Sequence, residues 1–186
     1  SVALPELGVR QRVRAGADGQ AEFRFRVPGA RLWSPAHPQL YRVEIASGSD
    51  TLVDRVGLRT IATRGRQLLL NGEPLFLRGI SVHEEYAADG GGRVRDADQA
   101  RRLLERARSL EAKFVRLAHY PHNEHMARLA DEMGLLVWSE IPVYWTIDWA
   151  NEATYRNAEA QLEAMIGRDR NRASVIIWSL ANETPV

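Results

Sequence analysis

An amide and a carboxyl side chain stand together at the end of an apolar run. The run is Ser174-Val-Ile-Ile-Trp-Ser-Leu-Ala, and the pair is Asn182-Glu183. A carboxyl group where a buried strand runs out is partly desolvated, which favours its protonated form and suits a general acid near neutral pH. An amide beside it suits a hydrogen bond to a sugar hydroxyl. Cleavage of a glycosidic bond uses two carboxyl groups flanking that bond, one of them as acid. Other polar and aromatic groups follow other apolar runs. His83, Glu84 and Glu85 follow one, and His119, Tyr120, His122 and Asn123 another. Glu140, Tyr144 and Trp145 follow a third.

The same residues admit a second chemistry. His119, His122 and His125 recur every third position, and with His83, Glu84 and Glu140 they offer ligands for a metal-dependent hydrolase. Pro121 breaks the segment, so the three imidazoles do not share one helical face. Trp138 and Trp178 read as core residues, Trp178 close enough to its strand end to line a pocket. Tyr144, Trp145 and Trp149 offer a sugar platform or a cover for the next helix.

The elements that must position these groups follow two rules. From Arg10 to about Ile61 apolar residues alternate over short runs, as in Ala21–Val27 and Leu40–Ile45, bounded by Gly, Pro, Ser or Asp. Period two predicts half-buried antiparallel strands, with a hairpin turn at Gly48-Ser-Asp50. After Thr63 short continuous apolar runs alternate with helical patterns. Strands are expected at Pro74–Ser81, Phe114–Ala118, Leu135–Ser139 and Val175–Leu180. Helices are expected at Asp96–Glu111, Asn123–Met133 and Asn151 to about Arg168. Asp96 caps the first helix, whose inner face is Ala100, Leu103, Leu104, Ala107 and Leu110. Gly134 ends the second. This alternation predicts a parallel sheet with helical crossovers, in which ligands meet the C-terminal strand ends. All four such ends carry the groups named above. The loop Glu84–Arg95, with Gly90, Gly91 and Gly92, reads as mobile; its glycines do not join a strand tightly to a helix as a phosphate cradle requires.

The chain has 186 residues, 45% of them hydrophobic, so a packed core is expected. Twenty-five basic and 24 acidic residues leave a net charge of +1, which gives no footprint for nucleic acid or an anionic membrane. Cysteine is absent, excluding disulfides and thiolate metal sites, and cytosol and periplasm both fit. No apolar run reaches the ~18 residues of a membrane-spanning helix, and the first residues do not read as a secretion signal.

Several stretches together resemble family 2 glycoside hydrolases, the group of β-galactosidases, β-glucuronidases and β-mannosidases. Leu32-Trp-Ser-Pro35 followed by Pro38-Gln-Leu-Tyr41 is similar to a motif of that family's immunoglobulin-like domain, and Val56–Ile61 resembles the passage from it into the barrel. Leu70-Asn-Gly-Glu-Pro74, Leu77-Arg-Gly79 and His83-Glu84 resemble the first barrel strand and its exit. Arg116-Leu-Ala-His-Tyr-Pro121 and Arg170-Asn-Arg-Ala-Ser174 through Ile177–Glu183 resemble two further motifs. Arg172 and Ala173 stand where the family usually has His and Pro.

The resemblance implies a partial immunoglobulin-like β-sandwich over residues 1–62 and the first half of a (β/α)8 TIM barrel over 63–186. It implies a retaining hydrolase of β-linked sugars, of β-galactosidase or β-glucuronidase type. Glu183 is its general acid/base, and Asn182, His83, His119, Glu140, Tyr144 and Trp145 surround the carbohydrate. The nucleophile is expected beyond this chain, so these residues alone are expected to be inactive, a folding unit whose open sheet edges favour self-association. No cofactor or metal is expected; the loop Ile141–Ile147 lacks the Glu and His that hold magnesium in some β-galactosidases.

Overall fold

The alternating segments at the start of the chain pair into an antiparallel sheet. We describe a computed structural model for residues 1–22, 24–85 and 91–185. Strands β1 (Val2–Leu4), β2 (Val9–Gln11), β3 (Tyr41–Ser47) and β4 (Asp50–Val56) lie in the order β2-β1-β3-β4. The β3–β4 hairpin turns through Gly48-Ser49, with Ser47 opposite Asp50. Gly48 has φ +57°, which a tight hairpin demands and glycine adopts without a Cβ penalty. Val2, Leu4 and Tyr41 form the core of this sheet.

Residues 21–22 and 24–27 belong to no strand, contrary to the expectation over Ala21–Val27. Alternation gives a segment an apolar face but no partner. Here Phe25 packs against the Val2–Leu4–Tyr41 cluster while most of its neighbours face solvent.

The expected strand Pro74–Ser81 is two elements. Strands β5 (Ile61–Arg64), β6 (Gln67–Leu70) and β7 (Glu73–Pro74) form a small antiparallel sheet. The chain then breaks away and begins β8 at Gly79–Val82, parallel to β9 (Phe114–Leu117). Gly79 lets β8 lie this close to β9, since a Cβ there would lie 1.9 Å from the carbonyl oxygen of Phe114.

Strand β8, β9, β10 (Leu136–Glu140) and β11 (Val175–Ser179) make the parallel sheet, in the order β11-β10-β9-β8. The intervening helices are α1 (Ala97–Ser109), α2 (Glu124–Met133) and α3 (Glu152–Asp169). The side chains of Asp96, Asn123 and Asn151 each accept a backbone N–H in the first turn that follows. Gly134 closes α2 at φ +69°. Ala100, Leu103, Leu104 and Ala107 are buried against β9 and α2, whereas Leu110, expected with them, is 67% exposed at the frayed end of α1. Among the described residues no helix is long and apolar enough to cross a membrane. The loop reading at Glu84–Arg95 falls in part on residues 86–90, outside those described.

Trp33 joins the two parts. It is fully buried among Leu40, Leu70, Leu136 and Ala173, and its indole N–H donates to the Asp131 carbonyl at 2.8 Å. Arg172 is buried beside it, donates to the Arg55 carbonyl, and pairs with Asp54 and Asp131. Arg59 donates to the carbonyls of Ala173 and Val175 from the other side. Replacing Trp33 by alanine should therefore cost about 3–5 kcal/mol of stability. Trp33→Phe, losing chiefly one buried hydrogen bond, should cost about 1–3 kcal/mol. Urea unfolding checks both, and a loss below ~1 kcal/mol for Trp33→Ala would remove this side chain from the core.

Candidate active site

The C-terminal ends of β8 to β11 bring the predicted groups to one rim, and a residue not predicted organises them. Arg116 lies within β9, a cation in an otherwise apolar strand. Its guanidinium meets both oxygens of Glu140 at the end of β10, Nε to Oε2 at 3.0 Å and Nη2 to Oε1 at 3.2 Å. Nη2 also donates to Asn182 Oδ1 at 2.6 Å. His119 Nδ1 lies 2.5 Å from Glu140 Oε1 and 3.3 Å from Arg116 Nη2, so the ring is held by both members of the pair. The Trp138 ring lies under the Arg116 guanidinium, 5.0 Å from centroid to Cζ. One arginine thus fixes groups from three strand ends. The signal for it in the sequence was a charge in the middle of Phe-Val-Arg-Leu.

Glu140, expected to touch carbohydrate, is 1% exposed, with both oxygens occupied. It acts by holding Arg116 and His119. Glu84 is equally buried, accepts from Arg93 Nε at 2.7 Å, and also accepts from the Asn123 backbone N–H.

His83 is half exposed at the rim, its ring edge-on to His119 at 5.2 Å. His119 lies 5.9 Å from Tyr144, and Tyr144 meets Trp145 edge-to-face at 5.4 Å. The Trp145 indole N–H then donates to Glu183 Oε2 at 3.2 Å. A continuous series of rings runs from His83 to the Glu183 carboxyl. The loop after β10 is also stitched to Asn182 through its backbone: Asn182 N donates to Val143 O at 2.8 Å, and Trp145 N donates to Asn182 O at 3.3 Å.

Glu183 itself is exposed, contrary to the half-dry setting expected from the run before it. Burial along that run ends with Ser179, and Leu180 is already 61% exposed. Glu183 lies beyond the end of β11, the last strand of the sheet among the described residues.

The histidines do not converge as the metal reading needs. His122 is 1% exposed and stacks on Tyr120. Its Nε2–H donates to the Ala118 carbonyl at 2.9 Å, and its Nδ1 has no hydrogen-bond partner. Among the described residues no three or more His, Asp or Glu side chains are gathered to hold a metal ion.

With this geometry the chain can be compared with known proteins. Residues 61–186 match the family described as "Glycosyl hydrolases family 2, TIM barrel domain", and residues 6–59 match "Glycosyl hydrolases family 2". The chain belongs to glycosyl hydrolase family 2. Within the family it is 33% identical to a β-glucuronidase of Paenibacillus borealis, over 97% of this chain and 32% of that protein. It is 30% identical to a β-galactosidase of an Arthrobacter species, over 99% of this chain and 18% of that protein. A β-glucuronidase from Ruminococcus gnavus, solved with a C6-substituted uronic isofagomine, superposes with a TM-score of 0.76 at 32% identity. That superposition covers 86% of this chain and 28% of the other. This family 2 chain therefore spans less than a third of the length of these relatives.

Two buried groups, His122 near the rim and Asp131 at the opposite end of the sheet, set an acid response of opposite sign. Burial pushes His122 down to about 4, helped by Arg93 and His83 and opposed by the Ala118 carbonyl and Glu85. Burial pushes Asp131 up to about 6, against the Ser174 hydrogen bonds and Arg172. The His122 contribution is present above pH ~6.5 and is lost as pH falls through about 4; the Asp131 group instead favours the folded state as pH falls below about 6. Relative to the parent protein, His122→Gln should hold about 2–3 kcal/mol more of its pH 7 stability at pH 4.5. Urea unfolding at the two pH values measures this, and a difference under ~0.5 kcal/mol would mean that His122 does not titrate as a buried neutral group.

Proposed function

We propose that this chain carries the proton-donating half of the active site of a retaining β-glycosidase. Residues 1–62 are part of its immunoglobulin-like domain, and residues 63–186 are the first half of its (β/α)8 barrel. The observation that carries the reading is the Asn182-Glu183 pair at the exit of β11. The Asn182 carbonyl oxygen is held by Arg116, which leaves the amide N–H groups for a sugar hydroxyl. The Glu183 carboxyl meets a neutral indole donor and no cation among the described residues.

In the first step Glu183 protonates the glycosidic oxygen. The bond from that oxygen to C1 breaks, and a second carboxylate bonds to C1. In the second step Glu183, now ionised, takes a proton from water, whose oxygen displaces that carboxylate and restores the β-configuration. His83 and the Nε2 of His119 are placed for sugar hydroxyls, and Tyr144 and Trp145 for an apolar sugar or aglycone face. The second carboxylate must stand about 5 Å from Glu183. Glu84 and Glu140 are both buried and paired to arginines, so the rest of a longer polypeptide supplies it. These residues alone are inactive, and their unpaired edges at β8 and β11 favour association. The names of the relatives favour a β-glucuronide over a β-galactoside as substrate.

In the full-length enzyme Glu183→Gln should lower kcat/KM on alkyl β-glycosides by about 10²–10⁴-fold. Nitrophenyl β-glucuronide should be turned over in preference to nitrophenyl β-galactoside. Glycosidase activity from the isolated chain that survives Glu183→Gln would defeat the assignment.

A further inference from the structure

Trp145 occupies a costly position. Its φ is +59° and that of Glu183 is +52°. The left-handed region disfavours bulky side chains, while glycine enters it freely. Within the described residues Trp145 is 65% exposed. What the side chain does gain is its edge contact with Tyr144 and the hydrogen bond to Glu183 Oε2. Its own backbone N–H is bonded to the carbonyl of Asn182, the residue before that glutamate. Indole and carboxyl group are thus tied together both by side chain and by backbone.

We propose that Trp145 is a positioning residue for the proton donor, acting through Glu183 to favour cleavage of glycosides with poor leaving groups. The inference rests on Glu183 being the general acid of the preceding section. With Oε2 held by the indole, Oε1 is the oxygen free to carry the proton. As that proton moves to the glycosidic oxygen, the electron pair of the breaking C1–O bond stays with the departing alcohol, and negative charge develops on the Glu183 carboxyl group. A fixed N–H donor strengthens as its acceptor becomes ionic, so it favours the transition state over the starting acid. A neutral indole does this without the permanent ion pair that an arginine would impose.

The test compares Trp145→Phe and Glu183→Gln with the parent in the full-length enzyme, on an alkyl β-glycoside and on the matching 2,4-dinitrophenyl β-glycoside. The dinitrophenolate leaves without a proton, so its cleavage does not need the acid. The readout is the ratio of the two kcat/KM values within each variant, from which any loss of folded enzyme cancels. Phenylalanine keeps an aromatic face while removing the N–H. The expected result is a ratio about tenfold or more lower in Trp145→Phe, shifted against the alkyl substrate, and lower still in Glu183→Gln. A ratio lowered in Glu183→Gln but unchanged in Trp145→Phe would overturn the role of Trp145 and leave the acid assigned. A ratio unchanged in Glu183→Gln would overturn the acid assignment itself, and this inference with it.

Discussion

The ion pair between Arg116 and the buried Glu140 is the constraint on which the rim depends. A charge removed from water is tolerated when it finds several partners, and Glu140 does. Glu140 has Arg116 and His119 on its oxygens; Arg116 has Glu140, Asn182 and the face of Trp138. Because the partners come from β9, β10 and the exit of β11, the charge pair fixes the relative height of three strand ends. It also holds the His119 ring and the orientation of the Asn182 amide. Losing Arg116 would strand Glu140 in the interior, which costs far more than a surface pair is worth.

A second set of charges sits at the opposite end of the same sheet. Asp54 on β4 reaches Arg172 before β11 and Arg128 on α2, while Arg172 also approaches Asp131. Beside them the Trp33 indole fills the space between the antiparallel sheet and the α2–β10 connection. Gly57 allows this approach, since a Cβ there would meet Trp33 and Ala173 below 3 Å. The first part of the chain thus braces the lower ends of β10 and β11. The arginine at position 172, where the family usually has histidine, belongs to this bracing and lies away from the rim.

Between the two lies the loop after β10, packed along the exit of β11. Val143, Tyr144 and Trp145 are laid along Ala181–Glu183 like one more short strand, with Tyr144 bridging Asn182. This arrangement holds two residues in the left-handed region at once. Strain of that kind persists only where surrounding bonds over-determine it. Backbone and indole hydrogen bonds do so here.

Local physics was legible in the chain as letters. Asp96, Asn123 and Asn151 mark helix starts because a side-chain oxygen there satisfies an orphan N–H within three residues. Gly134 marks an end because only its own backbone has to turn. The βα alternation, and the polar groups at the strand exits, followed from the same short-range patterns. Tertiary structure alone decided whatever needs a partner far along the chain. The described residues of Ala21–Val27 enter no strand, although Phe25 packs on the first sheet. The run at Pro74–Ser81 is shared between two sheets, its start pairing with β6 and its end, from Gly79, with β9. Glu140 and Glu183 both follow apolar runs and looked alike in the sequence. Glu140 is buried because Arg116, 24 residues away, turns toward it, whereas Glu183, beyond the end of β11, is exposed. Charge burial is settled by distant partners, which have no local sequence signal.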